Sequence, residues 1–402
     1  MAGVDIEPGR DPALNPYLSS KLQGFGVTIF AEMSMLATRT GAINLGQGFP
    51  DQDGPAVMAE AAISAIRNGH NQYPPGPGIP ELRQAIAHHQ ERFYGLNYDP
   101  DSEVLVTAGA TEAITAAMIA LCNPGDEVVM FEPYFDSYAP AIAMAGARRR
   151  VVPLRPPLWE FDLEEFSDTI TPRTRAVLLN SPHNPTGKVF SAEELADIAR
   201  VCVEKDVLVV TDEVYEHLVF EGRHIPLASL PGMADRTLTV SSAGKTFSFT
   251  GWKIGWACGP APMVAAVRTA KQFMTYVNGA PFQPAVAIGL GLPDQFFAMT
   301  AADLAARRDR LCGGLEEAGF DVFTPASTYF AVTDISRLSD EDGVTFCRML
   351  PERCGVVAIP ASVLYDDEAT GRSLVRFAFC KRPEIIDEAS ARLLSLQGSV
   401  GG

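Results

Sequence analysis

Two lysines, Lys245 and Lys253, stand eight positions apart in the stretch VSSAGKTFSFTGWKIGWACG, residues 240–259. Ammonium groups among aromatic and glycine residues are unfavourable unless they are paired or reactive. A lysine that is desolvated, or set beside another cation, holds its proton less tightly and becomes a nucleophilic amine. A second, fully charged lysine, with the hydroxyls of Ser241 and Ser242 close in sequence, suits a phosphate. Against this stands the plainer possibility that both side chains snorkel to water from a loop flanking the core.

Three further stretches bear on the choice. In VTAGATEAI, residues 106–114, a strand gives way to a helix, where free N–H groups attract anions. Gly109 would let a ligand approach the backbone and Thr111 adds a hydroxyl, but many strand-to-helix turns look the same, and the pattern is neither a Walker loop nor GxGxxG. In NSPHNPTGKV, residues 180–189, Asn184 either offers an amide past a strand end or closes an Asx-type turn. In LVVTDEVYEHL, residues 208–218, Asp212 ends an apolar strand, facing a cation or capping a helix, and Tyr215 follows three residues later. Together these residues describe one ligand: an anionic tail, a ring nitrogen kept protonated, a ring oxygen and a carbonyl open to an amine. Pyridoxal phosphate has those features.

The elements that must hold these residues follow from hydrophobic periodicity. Runs rich in Val, Ile and Leu recur at 104–107, 128–131, 150–154, 176–180, 207–212, 238–241 and 255–258, most of them separated by amphipathic stretches. Ser191 and Glu194 make a capping-box pattern before LADIARVCVEK. Such alternation predicts an α/β fold with a mainly parallel sheet and helices on both faces. From about residue 290 the texture changes to a long helical pattern, AADLAARRDRLCGGLEEAG, then to strand-like pieces in STYFAVTDIS and SLVRFAFC. We therefore expect a large domain over 46–288, a smaller α+β domain over 289–402, and an N-terminal arm, 1–45, that joins the smaller domain. The net charge of −17 disfavours nucleic acid and anionic membranes as partners. Seven cysteines with no CxxC pair read as reduced thiols in a cytoplasmic protein. The leading MAGVDIEPGRDPALNPY lacks the apolar core of a signal peptide, and no apolar run approaches membrane-spanning length.

The lysine stretch, the HNPTG turn and the Asp212–Tyr215 spacing together resemble the fold-type I, class I/II aminotransferases, and the resemblance extends along nearly the whole chain. INLGQGFPD, NQYPPGPG, EPYFDSY, TDEVYEHLVF and GWKIGW are similar to the kynurenine/glutamine transaminase subgroup. With GAPFQPAVA and VRFAFCKR added, the chain is closer still to actinobacterial N-succinyldiaminopimelate aminotransferases. The resemblance implies a homodimer that uses pyridoxal 5'-phosphate, with pyridoxamine 5'-phosphate as its other form. Lys245 is then the Schiff-base lysine and general base, Asp212 the partner of the ring nitrogen, and Asn184 and Tyr215 the partners of the ring oxygen. Gly109, Ala110, Thr111, Ser242 and Lys253 hold the phosphate, and Tyr73 reaches it from the other subunit. Phe135 (or failing that Tyr134) stacks on the ring, and Arg376 takes the substrate α-carboxylate beside Gly48. Two positions depart from the pattern: Lys253 stands where the family often has arginine, and Gly109 where some relatives carry serine.

The implied reaction moves an amino group from an L-amino acid to a 2-oxo acid, 2-oxoglutarate above all, and no residue is assigned to a metal. β-Elimination from cysteine S-conjugates is a second chemistry that the same residues could run. A transcription factor with an aminotransferase-like sensor domain is disfavoured, because the segment before INLGQGFPD is short and not basic. MTYVNGAPFQP, with Tyr276 exposed, is expected near the neighbour's substrate entrance.

Overall fold

The computed structural model describes residues 15–26 and 28–399, so the first fourteen residues of the expected N-terminal arm lie outside it. A seven-stranded sheet is built from β1 (Val104–Thr107), β2 (Glu127–Glu132), β3 (Arg148–Pro153), β4 (Thr174–Asn180), β5 (Leu208–Asp212), β6 (Thr237–Ser242) and β7 (Gly255–Cys258). Their order across the sheet is β1-β7-β6-β5-β4-β2-β3. All neighbours are parallel except that β7 runs antiparallel to both β1 and β6. Each expected strand is present, several of them one or two residues longer than the apolar run that marks it.

Burial explains the pattern. Strands β1, β2, β6 and β7 are buried at every position, as a sheet covered on both faces requires. The edge strand β3 instead carries Arg148, Arg149 and Arg150, charges that discourage pairing with another chain. Helix Gly109–Leu121 lies under the sheet and is apolar nearly all round, so its residues merge with those of β2 and β6 in one core. The capping box forms as expected: Ser191 Oγ accepts from the Glu194 N–H at 3.1 Å and Glu194 Oε2 accepts from the Ser191 N–H at 2.8 Å.

A second, antiparallel sheet is formed by β8 (Asp321–Phe323), β9 (Phe330–Asp334), β10 (Ile359–Pro360) and β11 (Leu374–Ala378), in the order β10-β11-β9-β8. Helix Asp294–Glu317 packs beside it, beginning seven residues before the AADLAARR pattern suggested. Ile43 and Asn44 pair in parallel with Val356 and Val357, and Met33 and Ala37 share a core with Leu311, Phe377 and Leu393. No single helix among the described residues is long and apolar enough to cross a membrane.

One contact between backbones decides where the first turn of helix Gly109–Leu121 sits. A Cβ on Gly255 of β7 would lie 2.6 Å from the Gly109 carbonyl carbon and 2.8 Å from the Ala110 nitrogen. Gly255→Ala is therefore expected to lower stability by about 1–3 kcal/mol and to weaken capture of a phosphate by residues 109–111. Urea unfolding and cofactor titration of the variant check this, and an unchanged midpoint and affinity would contradict it.

Candidate active site

The carboxyl ends of β1, β4, β5 and β6 open on a cavity of about 360 Å³. Asp212, the last residue of β5, is buried there. Its Oδ2 accepts from the Tyr138 hydroxyl at 2.6 Å and its Oδ1 from the Val214 N–H at 3.3 Å. Burial pushes its pKa up to about 6, against the pull of those two donors and of the Lys245 charge. No cation among the described residues lies within ion-pair distance of it. The helix-cap alternative does not hold, because no helix begins at Asp212 among the described residues: the carboxyl ends a strand and accepts from two donors.

Asn180, beside it on β4, donates to the Asp212 carbonyl at 2.9 Å, and its Oδ1 accepts from the Asn184 N–H at 2.7 Å. The Asn184 side-chain oxygen in turn accepts from Arg376 Nη1 at 3.1 Å. Arg376 comes from β11 in the other sheet, is buried, and also donates through Nη2 to the Gly46 carbonyl at 3.1 Å. Its guanidinium lies 3.9 Å from the centre of the Phe330 ring. Burial lowers its pKa to about 10, so it stays charged at neutral pH. Its Nε has no partner, and no carboxylate among the described residues forms an ion pair with it. A desolvated planar cation with free donors is suited to an incoming carboxylate.

Lys245 sits on the short helix Ala243–Thr246 that follows β6, and its Nζ donates to the Tyr329 hydroxyl at 2.9 Å. Desolvation pushes its pKa down to about 8. Lys253 takes a left-handed backbone (φ 53°) and carries its Nζ to 3.2 Å from where a Cβ of Gly109 would be. Gly109 itself has φ +78°, and no side chain caps the helix it starts. The two departures from the family pattern thus meet in space: glycine at 109 leaves the room that the lysine at 253 occupies, over the open N–H groups of the helix start.

The sequence profile of the family described as "Aminotransferase class I and II" matches residues 40–393. The chain belongs to that family. It is 55% identical over 385 residues, 93% of this chain and 97% of the relative, to the probable N-succinyldiaminopimelate aminotransferase of Mycobacterium tuberculosis. The Escherichia coli methionine aminotransferase is 40% identical, over 95% of this chain and 99% of its own. Among solved structures, the N-succinyldiaminopimelate aminotransferase from Mycobacterium tuberculosis superposes with a TM-score of 0.92 at 55% identity, covering 94% of this chain and 100% of that one.

In this aminotransferase every site residue expected from sequence lines the cavity except Tyr73: Gly48, Gly109, Ala110, Thr111, Phe135, Asn184, Asp212, Tyr215, Ser242, Lys245, Lys253 and Arg376. Phe135, rather than Tyr134, is the aromatic that faces it, because Tyr134 turns away to donate to Asp366 Oδ1 at 2.6 Å. Tyr73 stands outside, 82% exposed, with its ring edge-on to Tyr276. Tyr138, Asn180 and Tyr329 were not singled out. All three stand within recognisable stretches, EPYFDSY, NSPHNPTGKV and STYFAVTDIS, but no spacing connects residue 329 to residue 245. Away from the cavity, His89 and His217 share a hydrogen bond at 2.8 Å near Glu216, with both imidazoles held neutral by burial.

The family implies pyridoxal phosphate, and the residues present fit it. A buried acid without a cation matches a protonated ring nitrogen, the glycine cradle under Lys253 matches a phosphate, and a half-buried amine of lowered pKa matches a carbonyl.

The raised pKa of Asp212 has a stability consequence. In the unfolded chain an aspartate titrates near 3.9 and in the folded, cofactor-free protein this one titrates at about 6. Between those values the native state binds the extra proton, so its contribution to stability falls as pH rises from about 4 to about 6. Asp212→Asn should flatten that fall in the cofactor-free protein. Denaturant unfolding across this window tests it, and identical pH profiles for variant and wild type would refute it.

Proposed function

We propose that the enzyme takes the amino group from N-succinyl-LL-diaminopimelate and passes it to 2-oxoglutarate, using pyridoxal phosphate. The observation that carries the substrate assignment is the 55% identity along nearly the full length of both chains. The chemistry rests on the cavity, where Arg376 makes no ion pair among the described residues and Lys245 is desolvated.

When bound, pyridoxal phosphate supplies a carbonyl for covalent capture of the donor and a protonated ring that withdraws electrons from its Cα. The protein's residues do the rest. Gly109, Ala110, Thr111, Ser242 and Lys253 hold the phosphate. Asp212 would keep the ring nitrogen charged, Asn184 and Tyr215 would hold the ring oxygen, and Phe135 would cover the ring. Arg376 fixes the donor's α-carboxylate next to Gly48, with its guanidinium steadied by Asn184 and Gly46. Lys245, whose pKa of about 8 lies close to neutral, would act as the general base that takes the proton from the donor's Cα.

A panel of amino donors, read by bleaching of the bound cofactor in a single turnover, tests the assignment. N-succinyl-LL-diaminopimelate should react fastest, and Lys245→Ala should lower its rate by roughly a hundred- to ten-thousand-fold while the protein stays folded. Faster bleaching with methionine, toward which the 40% identity points, or with kynurenine would reassign the substrate. Release of pyruvate and ammonia from a cysteine S-conjugate would add β-elimination.

We also propose a twofold dimer in which Tyr73 serves the partner's phosphate site. Tyr73, Tyr276, Phe273 and Met274 are all exposed, an apolar patch typical of a covered surface. A dyad lets the same loop serve both sites reciprocally. Co-refolding Tyr73→Ala with Lys245→Ala should yield mixed dimers that carry both defects in one site and neither in the other, and so recover about half of wild-type activity per dimer. Mixed dimers that form without recovery would place Tyr73 within its own chain's function or outside it.

A further inference from the structure

The buried ring of Tyr329, at the start of the segment that becomes β9, lines one of two cavities that Lys245 borders. One is the active-site cavity. The other, about 380 Å³, is lined by Tyr329, Lys245, Cys380, Arg307 and Asp53 among others. Lys245 borders both, so its surroundings leave open space on two sides. We propose that Tyr329 is the positioning residue for Lys245, and that it ties the amine to the loop that holds the carboxylate anchor.

The hydrogen bonds run in one direction. The Tyr329 hydroxyl donates to the Gly48 carbonyl at 2.6 Å. A phenol has a single O–H, so toward Lys245 the same oxygen is an acceptor, reached by Nζ at 2.9 Å. Burial keeps the phenol neutral, which preserves this polarity. Two residues before Gly48, the Gly46 carbonyl accepts from Arg376 Nη2. The loop Gly46–Gln47–Gly48 is thus held at one end by the residue that takes the substrate carboxylate and at the other by the residue that holds the amine. The loop is also closely packed. A Cβ on Gly48 would lie 2.4 Å from Phe330 Cζ and 3.0 Å from Tyr329 Cε2, and one on Gly46 would lie 3.0 Å from Ile359 Cδ1. Displacing the guanidinium therefore pulls on the lysine through a short chain of rigid contacts.

This inference rests on Lys245 being the reactive amine, and the experiment separates the two claims. Tyr329→Phe keeps the ring and its packing and removes the hydroxyl, which is both the acceptor for Lys245 and the donor to the Gly48 carbonyl. In the cofactor-loaded enzyme, the pH midpoint of the cofactor absorbance reports protonation of the Lys245 nitrogen. Loss of an acceptor that favours the protonated form should lower that midpoint by about one pH unit, a roughly tenfold loss of proton affinity. We expect kcat to fall about tenfold, with KM for the amino donor changed less than about threefold, since Arg376 keeps its partners. A Tyr329→Phe enzyme whose midpoint and kcat match wild type, or whose defect is confined to thermal stability or KM, would overturn the proposal. Lys245→Ala, titrated alongside, should lose the pH-dependent absorbance change altogether. If that change persists in Lys245→Ala, the assignment of the amine fails, whatever Tyr329→Phe shows.

Discussion

A carboxyl group taken out of water at the end of a central strand, given two donors and no cation, sets the terms for everything around it. The Asp212 side chain is held by Tyr138 and the Val214 N–H, and its backbone carbonyl accepts from Asn180. Asn180 then holds Asn184, and Asn184 holds Arg376. One hydrogen-bonded line therefore runs from the acid in the large sheet to the guanidinium in the small one. Such a line is stable only if every member is satisfied internally or by a ligand. The two charged ends are the members left without a counter-charge, and an amino acid bound to its cofactor brings the opposite charge for each.

Desolvation acts in opposite senses on the two titrating groups of the site. It lifts Asp212 to about 6 and drops Lys245 to about 8. Both come to rest near neutrality, where a small change in surroundings decides the protonation state. The fold achieves this by burial rather than by close ion pairing: Lys245 has a phenol as its neighbour and Asp212 a phenol and an amide. A salt bridge between them would have driven both pKa values the other way and left neither group poised for proton transfer.

Much of this was legible in the chain because local rules and the fold agree. β4, β5 and β6 announce themselves as apolar runs, and each delivers its polar residue at the carboxyl end, where Asn180, Asp212 and Ser242 are found. Lys253 and Gly109 also stood out, as exceptions, but only their contact shows that each exception accommodates the other. The antiparallel course of β7 left no trace, since a short run buried at every position, such as GWAC, carries no mark of strand direction. Tyr329 was equally silent. Its role comes from a hydrogen bond across 84 positions, and an aromatic in an apolar strand segment looks like packing until its hydroxyl is located.

The burial of Arg376 also governs how a charged substrate arrives. The chain bears a net −17, so at a distance its field opposes the approach of a molecule with several carboxylates. At physiological salt that field fades beyond about 8 Å, and the attracting guanidinium is shielded by the protein until the substrate is nearly seated. Selection is thus deferred to the cavity itself, with little long-range steering. Recognition of the carboxylate is a short-range event, made at the guanidinium and not on the approach.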